Sequence, residues 1–199
     1  MTYVKTNWVD DVTPLSATNM NNIEDGIANV YDGAWERISG ITVASALTQV
    51  EFANLDSKYN EFRIVCEGIS ATTGTKDLII RFNSDSSTNY NSLKVSGGGA
   101  FLFTSYSAFS SIPVSSVFVA NNRGVDNIAV INITNSKATT IKKVFIDMIN
   151  YSSTFAVNEI VQMKGNWTNK TDKINSIQLS ASATNGIGVE SKFTIWGAV

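Results

Sequence analysis

The sequence predicts a mainly β protein, in which a short amino-terminal helix precedes an antiparallel β-sandwich or jelly-roll head. Three observations carry that expectation. Of 199 residues, 23 are Ser, 19 Thr and 21 Asn, small hydrogen-bonding types that favour strands, turns and loops over helices. Helical spacing of apolar residues occurs in one stretch near the amino terminus, and short apolar or alternating runs fill the rest. The length fits one domain with a short appendage. We assign residues 1–38 to an attachment and oligomerisation segment and 39–199 to the head.

From Leu15 to Trp35, Met20, Ile23, Ile27, Val30 and Ala34 are spaced 3, 4, 3 and 4, a heptad seam. Ser16 is a natural N-cap and Gly33 a stop, while Asp25 and Gly26 interrupt the helix. Two heptads are marginal alone in water, so the seam needs a cover, either the head or other copies of the chain. Glu24, Asp25, Asp32 and Glu36 suit an outer face, and isoleucine at both seam positions favours three or more strands over two. A homotrimer held by Met20, Ile23, Ile27 and Val30 is expected.

The strand candidates are 62–66, 77–82, 114–119, 128–133, 141–149, 155–163, 174–179 and 193–196. Turn clusters separate them, among them Thr73-Gly74, Asp85-Ser86-Ser87, Gly97-Gly98-Gly99, Asn121 to Gly124 and Asn185-Gly186. Many short strands with such punctuation point to a sandwich. The stretch Phe101 to Phe109 suits a core strand or an exposed platform, and its aromatic content favours core. Trp167 and Trp196 read as packing residues, Trp8 and Trp35 as anchors flanking the helix.

Composition also excludes chemistry. Histidine is absent, which removes Ser-His-Asp and Cys-His catalysis and histidine-ligated zinc. The lone Cys66, in an apolar run, reads as a buried thiol. No membrane span or signal peptide is evident, so synthesis in the cytoplasm is expected. The net charge is −2, with two bases against six acids in residues 1–40. No Lys/Arg stripe exists to neutralise a phosphate backbone, so nucleic acid is not an expected partner. Carboxylates such as Asp77, Asp85, Asp126 and Asp147 form no pair that spacing singles out for glycoside hydrolysis. No catalytic residue, metal or cofactor is assigned.

The run Trp8-Val9-Asp10-Asp11-Val12-Thr13-Pro14-Leu15-Ser16-Ala17-Thr18-Asn19-Met20-Asn21-Asn22-Ile23-Glu24-Asp25-Gly26-Ile27 closely resembles a segment near the start of many tail-fibre, baseplate and receptor-binding proteins of bacteriophages and phage-like particles. A more diffuse resemblance links Gly165-Asn166-Trp167, Ile174 to Leu179 and Ser191 to Gly197 to the final strands of phage fibre heads, with Glu190 where a glycine is expected. The resemblance implies a virion structural protein. It would be a homotrimer attached to other tail or baseplate proteins, with heads that touch a host cell-wall polysaccharide or surface receptor. Alternatives are a tail adaptor binding only virion proteins, or a glycan-degrading tail enzyme.

A sugar site needs aromatic faces for the ring and amide or charged groups for the hydroxyls, placed on loops. Two stretches have that mixture. Asp85, Asn89 and Tyr90 form one candidate receptor-binding set; Asn121, Asn122 and Arg123 form the other.

Overall fold

A computed structural model describes residues 17–32, 35–72, 76–97, 101–118, 127–135, 139–151 and 157–199. Helix α1 spans Ala17–Asp32, inside the predicted stretch. Twelve strands follow among the described residues: β1 Glu36–Thr42, β2 Gln49–Phe52, β3 Glu61–Glu67, β4 Lys76–Phe82, β5 Tyr90–Gly97, β6 Phe101–Phe109, β7 Ile112–Phe118, β8 Ile128–Thr134, β9 Lys142–Tyr151, β10 Val157–Trp167, β11 Ile177–Ala181 and β12 Lys192–Ala198. Strand β1 therefore begins inside the segment assigned to the appendage. No described helix is long and apolar enough to cross a membrane.

The strands form two antiparallel sheets, one of eight in the order β1-β12-β3-β8-β9-β10-β5-β6 and one of four in the order β2-β11-β4-β7. Period-two alternation decides which side chains lie between them. Phe62, Ile64 and Cys66 of β3, Ile131 and Ile133 of β8, and Phe193 and Ile195 of β12 point inward and are buried. They share one core with Leu78, Ile80 and Phe82 of β4 and Ile177 and Leu179 of β11. The mainly β, sandwich-like head is as expected, and Cys66 is a buried thiol whose ionisation burial suppresses.

The sheets differ in width. At about 4.8 Å per strand, eight strands span roughly 34 Å and four roughly 14 Å. The small sheet therefore leaves the ends of the large one uncovered. Strand β1 has no fully buried residue, and β6, at the other end, exposes Leu102, Phe103 and Phe109. The core reading of Phe101 to Phe109 is thus corrected for the side chains described: a strand can be aromatic and still lie beyond the reach of the opposite sheet.

Two details concern the closing strand. Glu190, in the turn before β12, adopts φ 68°, the left-handed region that glycine occupies without cost. Glu190 thus holds the backbone form that a glycine was expected to supply there. In β12, a Cβ added to Gly197 would fall 2.5 Å from Tyr59 Cδ1, so the Tyr59 ring fills the space a larger residue would need. Trp196, expected as a packing residue, is half-buried and pairs with Arg37 and Arg63 on the neighbouring strands.

Candidate functional site

The segment between β4 and β5 folds around one carboxylate. Asp85 Oδ1 accepts from the Ser87 N–H at 2.9 Å and from the Ser87 hydroxyl. Asp85 Oδ2 accepts from Asn89 Nδ2 at 3.0 Å and from the Trp167 indole at 2.7 Å. Burial opposes ionisation of Asp85, but donors from Ser87, Trp167 and Asn89 outweigh it and hold the carboxyl down at about 2. A carboxylate so saturated is ionised at neutral pH and is not shaped as a general acid.

Tyr90 lies beneath this loop and is fully buried. Its hydroxyl accepts the Phe82 N–H at 3.0 Å and lies 3.1 Å from the Asp85 carbonyl oxygen, to which it can donate. The ring packs with Trp167 and Phe82, centroids 6.4 Å and 6.1 Å away. The expectation that Tyr90 offers a stacking face to a sugar is corrected. A buried aromatic that closes the core has no free face. Asn89 is also engaged, donating to Asp85 and to Ser87 Oγ at 2.7 Å, while its carbonyl takes the Thr168 N–H at 2.8 Å. Asp85, Asn89 and Tyr90 are brought together as predicted, but as the end cap of the sandwich.

Lys142, unremarked in the sequence, reinforces the cap from the other side of Trp167. Its Nζ donates to the Asn169 carbonyl at 3.1 Å and sits 5.5 Å from the Trp167 ring centroid. Burial lowers its pKa and Asp172 raises it. Trp167, fully buried, is the packing residue expected.

Asn121, Asn122 and Arg123 lie outside the described residues, as do Ser16, Gly33 and the side chains of Ile27 and Val30. Of the remaining seam, Met20 is half-buried and Ile23 is 53% exposed.

Exposed rings occur instead on β6. Phe109, across from Tyr90 in the register, is 47% exposed and meets Tyr106 edge-on at 5.3 Å. Asn91, between Tyr90 and Ser92, faces the other side of the sheet and is engaged at both ends of its amide, its Oδ1 accepting the Ala108 N–H at 3.0 Å and its Nδ2 donating to Asn166 Oδ1 at 3.2 Å. Ala108 at φ 54° marks a bulge that lets Tyr106 and Phe109 meet. These are exposed rings of the kind sought in the loop, one strand further out. The uncharged aromatic run of β6 was the only signal for it. Among the described residues, no group of three or more acidic or cysteine side chains is placed to hold a metal ion. Comparison with protein families, with curated proteins and with solved structures finds no match to this chain.

Proposed function

We propose that the chain is a virion tail-fibre or baseplate protein that attaches its particle to a host cell-surface glycan. The carrying observation is the Trp8 to Ile27 segment, which resembles the start of such proteins and leads into a helix and a β head. The partly exposed seam at Ile23 supports a role for α1 in assembly with further copies and with other tail proteins. On the head, Phe109 and Tyr106 supply ring faces of the kind a sugar needs, and the segment with Asn121, Asn122 and Arg123 remains a second candidate. Individual sugar contacts are weak, so several copies on one particle would raise avidity without new contacts.

The test is incubation of the purified chain with a panel of bacterial cell walls. Saturable binding that falls in Phe109→Ala, with the fold intact, supports attachment. Release of reducing ends would instead indicate a glycan-degrading enzyme, and no binding across the panel would favour an adaptor that meets only virion proteins.

A further inference from the structure

We propose that one row of side chains across the outer face of the large sheet is a binding site for a carboxylate-bearing polysaccharide. The choice of a sugar chain rests on the reading of the head as glycan-binding, but the site lies on the opposite face of the sheet from Tyr106 and Phe109, which pair with the inward Ser92 and Tyr90. Strand register assembles the row. Arg37 on β1 lies beside Trp196 on β12, followed by Arg63 on β3, Asn132 on β8, Phe145 on β9 and Lys164 on β10. The order is base, ring, base, amide, ring, base. Trp196 and Asn132 are half-buried and the other four are exposed.

The cations of this row lack anionic partners. Among the described residues, no carboxylate is ion-paired with Arg37, Arg63 or Lys164. Arg63 is nevertheless held in place, its Nε donating to Asn132 Oδ1 at 2.8 Å and its guanidinium lying 4.6 Å from the centroid of the Trp35 ring. Its two terminal nitrogens are left for a ligand. The Arg37 guanidinium lies across Gly40, in the space that a side chain there would fill. Each guanidinium thus rests on a neighbour other than Trp196, and no ring or cation contact to Trp196 is found among the described residues. That leaves a half-exposed indole between two cations for the apolar side of a sugar ring.

The spacing of the bases selects the kind of polyanion. At about 4.8 Å per strand, the backbones at Arg37 and Arg63 are about 10 Å apart and those at Arg63 and Lys164 about 14 Å apart. A nucleic acid carries a charge about every 3.4 Å along each strand, far denser than the row can match. Glu61 and Asp147, on the same face in the adjoining rows, would repel the excess. A polysaccharide in which acidic and neutral sugars alternate has sparser charge. Its carboxylates suit the guanidinium forks, its ring faces suit Trp196 and Phe145, and its hydroxyls suit the Nδ2 of Asn132, whose Oδ1 is taken by Arg63.

The experiment titrates the full chain with hyaluronate oligosaccharides and with oligogalacturonate by calorimetry, beside neutral dextran, oligothymidylate and a polyglutamate peptide. We expect saturable binding of an acidic sugar, none of dextran, and weakening as salt rises. Arg37→Gln and Arg63→Gln should each raise the dissociation constant about tenfold and keep the wild-type circular dichroism spectrum, since both side chains are exposed. Lys170→Gln, the same loss of charge at an exposed position outside the row, should leave the affinity unaltered. The proposal is overturned if neither acidic sugar binds, if dextran binds as tightly, or if both arginine variants keep wild-type affinity. Tighter binding of oligothymidylate or polyglutamate overturns it as well and reassigns the row to that class. Failure here beside cell-wall binding that Phe109→Ala abolishes leaves attachment through β6 standing. Acidic-sugar binding without binding to any cell wall keeps this site and removes the attachment reading.

Discussion

The end cap around Asp85 and the open side along β6 are both rich in aromatic residues, yet one is closed core and the other faces solvent. At the cap, Tyr90, Trp167 and Phe82 are buried and their polar atoms are matched by the loop above them. Along β6, Phe109 stands out beyond the narrower sheet, and Phe103, across from Val95, lies on the large sheet's outer face, which no second layer covers among the described residues. What separates the two is coverage by a second layer, and composition is silent on that. An aromatic cluster stabilises a fold only where something lies over it.

The sharpest way to break this contrast is to truncate one ring in each region. Tyr90→Ala should cost about 3–5 kcal/mol, because it leaves a cavity and strands the hydrogen bonds of Phe82 and Asp85. Phe103→Ala should change stability by no more than about 0.5 kcal/mol, as an exposed site does. Urea unfolding of both variants measures the difference, and similar costs would mean that the open side is covered in the isolated chain.

A medium effect is expected from the carboxylate that organises the cap. The folded pKa of Asp85, about 2, lies below the value near 3.9 expected when unfolded. Its contribution is therefore complete above about pH 4 and is lost as pH falls through about 2. Asp85→Asn should destabilise at pH 7 by about 1–2 kcal/mol and flatten the fall in stability between about pH 4 and 2. Unfolding midpoints of the two proteins across that range check the sign; a parallel fall in both would place the acid sensitivity elsewhere.

A change smaller than those at the cap lies outside both regions and calibrates them. Glu190 holds φ 68° at the turn into β12, with its N–H bonded to the Val43 carbonyl at 2.8 Å. Glu190→Gly should stabilise by up to about 1 kcal/mol, relieving the left-handed backbone while giving back some chain entropy. Thermal unfolding would register a small upward shift, and a loss would show that the Glu190 side chain contributes to the turn.

Much of the fold was legible. The seam through Met20 and Ile23 locates α1, and the runs around Phe62, Leu78, Ile131, Ile146 and Phe193 lie in β3, β4, β8, β9 and β12. Strands β1, β2 and β5 escaped notice. In β5 the polar Ser92, Lys94 and Ser96 take the inward positions and Leu93 is exposed, so its alternation is present in the sequence but its apolar face is not the buried one. The grouping of Asp85, Asn89 and Tyr90 was legible as well, since they are close in the chain. Its role was not, because Trp167, which completes it, comes from the far end of β10.

By itself the sequence determined the local quantities. They are the helix near the start, the alternation of β3 and β8, the absence of imidazole chemistry and the positions of several turns. Each depends on neighbours a few residues away. Only the tertiary structure decided that eight strands would face four, that Tyr90 would be sealed and Phe103 left open, and that Glu190 would hold a glycine's conformation. Those outcomes depend on which strands pair across long stretches of chain and how far one sheet reaches over another, and no local pattern encodes that reach.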